Sequence, residues 1–293
     1  MASRAVPGAS AAPPSLPVLS AADEALFGRF RLAVLTDLGP DFRLGFKLAY
    51  FSNFASPAIA APLDASGQIA SEPMRRAKDT SIVVYEIVTN GFDSERGRRM
   101  VDLLRRVHRG VPGSRDDYLY VLETLFVAPL RLVRRTAPRS LDAHELAQAA
   151  AFFGRLGAEL GLDGVPATLA EAERFCTAYE AAHAEPSAAG ARLMASTLGA
   201  LVESAPRRVR PAVTLVARLG VSALFDDPVM SRALGLPVLP RFVRRAVAAG
   251  VRLRRRAAVR RAARGSAGVE FTSGEASRVY PGGYALDDIG PRR

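Results

Sequence analysis

The chain has 293 residues, 49% of them hydrophobic and 24% charged, a balance that supports a substantial buried core and excludes disorder of the whole chain. Its net charge is +11, with 40 Lys and Arg against 29 Asp and Glu, which raises nucleic acid or an anionic membrane as partners. The excess is local: ten arginines and no acid lie between Arg241 and Arg264, and setting that +10 aside leaves +1 for all the rest.

Residues 1–20, rich in Ala, Pro and Ser, lack a continuous apolar run and read as a disordered leader rather than a secretory signal. From there the periodicity is helical almost throughout. It predicts helices over about 21–37, 41–55, 74–90, 94–110, 117–134, 141–161, 168–184, 188–204, 207–225 and 241–263. Asp93 or Ser94 is placed to cap the helix after Asn90-Gly91, Ser140 precedes another, and Thr168 with Glu171 fits a capping box. Ile82-Val83-Val84 is β-branched but continues a helical stripe. No linker interrupts the pattern, so the expectation is a single large all-α domain over 21–264, followed by a Gly-rich, looped tail over 265–293. The longest uncharged run, Leu48 to Leu63, is too short to span a bilayer and is broken by Pro57 and Pro62. Cys176 is the only cysteine, which excludes an intrachain disulfide. Together these features point to a cytoplasmic protein that lies on a membrane, if it meets one, rather than across it.

Candidate chemistry is sparse. His144 falls in the first turn of a helix beside Asp142 and Glu145, and His183 near a helix end; both read as surface residues. His108 differs, because it extends the stripe Gly97, Met100 or Val101, Leu104 at helical spacing and so points toward the core. Two readings stand for it: a buried histidine bonded to a carbonyl, and an axial ligand to haem iron, which needs one neutral imidazole in an apolar pocket. A second cluster is Arg75-Arg76-Ala77-Lys78-Asp79-Thr80. Arg76, Asp79 and Thr80 share one side of a helix just before it becomes apolar. Arg76 could donate to an oxygen species or a propionate, Asp79 could pair with Arg76, and Thr80 could offer a hydroxyl; a solvated, salt-bridged first turn is the alternative. There is no phosphate-binding glycine loop, no serine nucleophile elbow and no His/Cys metal cluster. The pairs Asp116-Asp117 and Asp226-Asp227 read as helix-start or loop acids.

In order and spacing these pieces resemble the MpaB-type oxygenases, which share a catalytic domain with the latex-clearing rubber oxygenases. Arg76-x-x-Asp79-Thr80 is similar to the family's Arg-x-x-Asp-Thr. Gly91-Phe92-Asp93-Ser94 follows, then an arginine-rich helix ending in His108, Asp117-Tyr118-Leu119-Tyr120-Val121-Leu122, Pro129-Leu130-Arg131, Phe152 to Leu162, Val165-Pro166, Tyr179-Glu180, and the ending Tyr280-Pro281-Gly282-Gly283-Tyr284 with Asp288-Ile289-Gly290-Pro291. The resemblance spans roughly residues 40–291. It implies a globin-like haem-binding core, a haem b whose iron takes His108, and dioxygen-dependent cleavage of a carbon–carbon double bond in an apolar, isoprenoid substrate. It also implies that Arg76 and Thr80 lie on the distal side, with Arg76 at a haem propionate or at dioxygen. Where the rubber oxygenases carry a distal lysine this chain has Asp79, with Lys78 one residue earlier. Their glutamate has no clear match in Ala55 to Ala61, and the chain has no Trp. The site set expected from the resemblance is therefore Arg76, Lys78, Asp79, Thr80 and His108. The departures support a second reading: a non-catalytic, membrane-associated or partner-binding helical protein that keeps the fold.

The basic segment 241–264 carries Phe242, Val243, Ala246, Val247, Gly250, Leu253 and Ala257 roughly on one stripe flanked by arginines. A helix packed on the core by that stripe, an interfacial helix on anionic lipid, and a phosphate-contacting nucleic-acid helix are the three readings. Without aromatic interleaving beyond Phe242 or a recognised DNA-binding motif, nucleic acid ranks last.

Overall fold

A computed structural model describes residues 16–262 and 269–291; most of the expected leader and residues 263–268 lie outside the described residues. Among the described residues there are thirteen α-helices and no strand: α1 (Ala21–Leu35), α2 (Gly39–Ser52), α3 (Pro57–Ala65), α4 (Gln68–Ser71), α5 (Pro73–Asn90), α6 (Glu95–His108), α7 (Arg115–Thr136), α8 (Ala143–Glu159), α9 (Leu169–His183), α10 (Ala188–Val202), α11 (Arg210–Leu224), α12 (Pro228–Ala233) and α13 (Arg241–Ala262). The expected all-α class holds. Three short helices, α3, α4 and α12, join the ten that periodicity predicts. Each is nine residues or shorter, and two begin on a proline, Pro57 and Pro228, which serves at the first helical turn.

Local signals set the boundaries. Ser94 caps α6 by accepting from Gly97 N–H at 2.9 Å. Thr168 accepts from Glu171 N–H at 3.2 Å, whereas the Glu171 carboxylate reaches Ala167 N–H rather than Thr168, so the expected box closes on one side only. Ser140 does not cap α8. Asp142 does, in a full capping box with Glu145, because the aspartate two residues later offers the same acceptor closer to the apolar run.

The core forms in two parts. In the larger, Phe27 and Phe30 of α1 meet Phe42 of α2 and Phe152 and Phe153 of α8, all at most 1% exposed and in edge or tilted ring contacts. Each such side chain contributes roughly 1.5–3 kcal/mol by leaving water. The smaller part gathers Phe51 and Phe54, Leu193 and Leu198 of α10, and Met230 of α12. Helices α2 and α7 run through the middle and touch closely: a Cβ on Gly45 would lie 2.3 Å from Pro129 Cα. Only glycine permits that approach.

Two features frame the site. Helices α5 and α6 form a hairpin around Gly91, whose φ of +85° ends α5. Gly97 lets the chain fold back, since a Cβ there would sit 1.8 Å from Gly91 O. The tail 269–291, helical only in the single 3-10 turn Leu286–Asp288, packs on this hairpin, with Phe271 stacked on Tyr85 at 5.0 Å and Glu270 N–H bonded to Leu35 O at 2.7 Å.

Helix α13, for which the sequence left three readings open, splits its apolar stripe. Of the stripe residues, Phe242 and Leu253 are 73% and 70% exposed, whereas Val243 and Val247 are half-buried. The inward positions are held by Ala248 and by arginines: Arg244 donates to Phe225 O, Arg252 to Arg134 O at 2.8 Å, and Arg255 to buried Asp41 at 2.9 Å. Guanidinium bonds to backbone carbonyls and one buried carboxylate therefore anchor this helix beside the packing of Ala248, Val243 and Val247.

Candidate functional site

The hairpin brings the two sequence candidates together. Arg76 lies fourteen residues before Asn90, the end of α5, and His108 thirteen after Glu95, the start of α6. At ~1.5 Å per residue both stand roughly 20 Å from the turn on adjacent helices. They are close enough for the Arg76 charge to act on His108, whose pKa is lowered first by burial and then by Arg76. Its Nδ1 lies 2.8 Å from Leu104 O. A carbonyl can only accept, so Nδ1 donates, and Nε2 is left with the lone pair of a neutral ring. Tyr118 fixes the ring from the side, with centroids 6.1 Å apart, and bonds through its hydroxyl to His108 O at 3.2 Å and Val111 O at 2.6 Å. Of the two readings left open by the sequence, the carbonyl bond is therefore present, and it leaves the ligand role chemically available.

The polar cluster on α5 divides between two faces. Arg76 and Thr80 share one; the Thr80 hydroxyl donates to Arg76 O at 3.0 Å, so its remaining capacity is as an acceptor. Buried Tyr50 faces Arg76, and desolvation raises its hydroxyl pKa to about 12 while the Arg76 charge opposes the rise. Arg75 and Asp79 share the other face. Asp79, 1% exposed, accepts from Tyr280 Oη at 2.5 Å and Gly290 N–H at 3.1 Å. Its ion pair, at 3.8 Å, comes from Arg75 rather than from the expected Arg76. Arg75 in turn lies over the Tyr280 ring at 5.4 Å. Burial raises the Asp79 pKa, against those hydrogen bonds and charges. Lys78 is half-buried near Glu270, and its charge opposes the burial that raises the Glu270 carboxyl. Thr80 is thus tied to Arg76, the Arg76 charge acts on His108, and Asp79 is directed toward the tail.

Two turns along α5, Glu86 repeats the tail contact. It is fully buried and accepts from Arg96 Nε and Nη2, both at 2.8 Å, from Asn90 at 2.9 Å, from Ser273 at 3.0 Å and from Tyr284 Oη at 2.5 Å. Elsewhere Arg131 pairs with Glu180 at 3.3 Å, Tyr120 stacks on Tyr179 at 4.2 Å, and Tyr179 bonds Asp117. Hence residues from scattered sequence motifs clasp one another: Asp79 with Tyr280, Asp117 with Tyr179, Arg131 with Glu180. Sequence reasoning missed Glu86 and Glu123. Both interrupt apolar helical stripes, and a lone acid in such a stripe is the signal that could have found them.

Residues 40–263 match the family described as "ER-bound oxygenase mpaB/B'/Rubber oxygenase, catalytic domain". The chain belongs to this family. Two curated relatives from Penicillium brevicompactum, "ER-bound oxygenase mpaB" and "ER-bound oxygenase mpaB'", are each 30% identical over 122 residues, which is 40% of this chain. The match spans 31% and 29% of those relatives' own lengths. Membership in the oxygenase family frames the cofactor question. Among the described residues no group of three or more His, Cys, Asp or Glu could hold a metal ion. A single imidazole such as His108 would suit a metal whose remaining ligands are supplied by a macrocycle, and in that respect the donor set fits haem. None of the three cavities described for the protein is lined by His108 or Arg76. No helix among the described residues is long and apolar enough to cross a membrane.

Proposed function

We propose that the protein is a haem b-dependent oxygenase that uses dioxygen to cleave a carbon–carbon double bond in an apolar, isoprenoid-like substrate. The reading is supported above all by His108: a half-buried, neutral imidazole with Nδ1 committed to a backbone carbonyl and Nε2 left with its lone pair, under the influence of the Arg76 charge, in a chain of an oxygenase family. His108 would hold the iron, and Arg76 would bind a propionate or polarise dioxygen. Haem supplies the redox-active iron at which dioxygen reacts. The chain's own residues do the rest. The Leu104 carbonyl fixes the tautomer and orientation of His108, burial keeps it unprotonated, and the Thr80 hydroxyl ties the Arg76 backbone while keeping an acceptor free. Asp79 holds Tyr280 and Gly290 and so keeps the tail over the α5 face beside the site; with Lys78 it completes the proposed set. One observation favours the second, non-catalytic reading: both Asp79 oxygens are already engaged by the tail.

The outer stripe of α13, with Phe242 and Leu253 exposed among arginines, supports peripheral docking on an anionic membrane, from which an apolar substrate would be drawn. No nucleic-acid partner is proposed. The oxygenase reading is tested by incubating haemin-loaded protein with squalene in detergent micelles under labelled dioxygen. The expected products are a ketone and an aldehyde end, each carrying one oxygen atom from dioxygen, so that no external reductant is consumed. Unchanged squalene, or carbonyls labelled only from water, would reject it.

A further inference from the structure

Seven arginines and one aspartate face a groove of about 650 Å³ between the end of α7 and one side of α13. Arg134 and Arg135 come from the last turn of α7; Arg241, Arg244, Arg245, Arg252 and Arg256 line one side of α13. Ala248 and Ala249 lie between them and keep the groove wide. Asp226 is neutralised by Arg135 at 2.5 Å, and Arg134 is paired with Glu173. Among the described residues no carboxylate pairs with any of the α13 arginines that line the groove, although Arg255 on the same helix has Asp41.

The positive charge is also fixed in place. Arg244 is only 9% exposed; its Nη1 is tied to the Asp226 and Phe225 carbonyls, and its Nε has no partner. Arg252 is pinned to Arg134 O at 2.8 Å, and its buried Nε also lacks a partner. Carbonyl bonds hold these guanidinium groups without cancelling their charge, so they cannot splay apart to relieve their repulsion. Concentrated, unneutralised arginine with unused donors is the complement of a multiply charged oxyanion. Arginine forks match phosphate oxygens in pairs.

We infer that the α7/α13 groove binds the phosphate or diphosphate group of an anionic ligand. This site is separate from the oxygenase reading and stands or falls independently of it; Leu253 of the outer apolar stripe lies at its edge. The ligand chemistry is shared by soluble phosphate esters and by lipid headgroups, so the test has an arm for each.

The full chain is titrated with inorganic pyrophosphate by calorimetry at constant ionic strength, and floated with phosphatidylcholine vesicles with and without 20% phosphatidic acid. Wild type is compared with Arg245→Ala/Arg256→Ala, at the open edge of the groove, and with Arg254→Ala/Arg260→Ala, which removes the same charge from α13 outside it. Saturable pyrophosphate binding weakened at least about tenfold in the groove variant and under about twofold in the control is the expected result. Flotation with phosphatidic acid lost in the same variant alone assigns the group to a headgroup; pyrophosphate binding without flotation assigns it to a soluble ester. Equal losses in both variants, or no saturable binding and no flotation by the wild type, overturn the proposal. So does retention on random duplex DNA without any pyrophosphate binding, which would mean a diffuse polyanion surface.

Discussion

Glu123 sits in the middle of α7, fully buried, with no hydrogen-bond partner on either carboxyl oxygen. Desolvation alone pushes its pKa from 4.5 to about 8, so the folded protein carries it protonated at neutral pH. The folded state thus keeps a proton that the unfolded chain releases above pH 4.5. Stability must fall as pH rises from about 4.5 and level off above about 8. The slope is ~1.4 kcal/mol per pH unit, and the accumulated cost at pH 7 is on the order of 3 kcal/mol. Glu123→Gln keeps the shape and removes the titration. Urea unfolding of both proteins at half-unit steps from pH 5 to 8 isolates the effect, because the other buried carboxyls are common to both. The gap should move in the variant's favour by about 2 to 3 kcal/mol between pH 5 and 7. Parallel curves would refute the reasoning and place a solvent path or an unrecognised partner at Glu123.

Further predictions concern packing, the tail and the membrane. Tyr284→Phe removes one of five hydrogen bonds to Glu86 and should cost about 1.5 kcal/mol, near the low end for a charged acceptor, measured by urea unfolding. Gly45→Ala forces a Cβ to within 2.3 Å of Pro129 Cα and should cost roughly 1–3 kcal/mol, read as a fall in Tm; an unchanged Tm would mean that α2 and α7 separate freely. Phe242→Ser/Leu253→Ser should abolish flotation with vesicles containing 30% phosphatidylglycerol while leaving Tm unchanged, since both side chains are already mostly exposed.

Long amphipathic helices were legible because their stripes repeat over several turns: α5 and α6 begin and end within two residues of expectation. Short helices such as α4 and α12 carry too few turns for a period to show, and their starts depend on proline or loop geometry. The α6 stripe is buried at Gly97 and Met100, where the hairpin glycines at 91 and 97 bring α6 onto α5, and half-buried at Leu104 and His108. For helix α13 the sequence left three readings open, and hydropathy could not choose among them because it counts arginine as solvent-seeking, whereas Arg244 and Arg255 turn inward to carbonyls and Asp41. The split of Arg76 and Asp79 onto different partners was not legible either. It depends on Tyr280, 201 positions away along the chain, whose approach no local pattern encodes.

The most direct test of the account is the absorption spectrum of the purified protein with added haemin, beside His108→Ala. The account predicts a Soret band typical of a histidine-bound b-type haem in the wild type. In the variant that band should be lost while the helical circular dichroism is retained. A colourless wild type that takes up no haemin, or a variant whose spectrum is indistinguishable from it, would contradict the assignment of His108 and with it the proposed oxygenase chemistry.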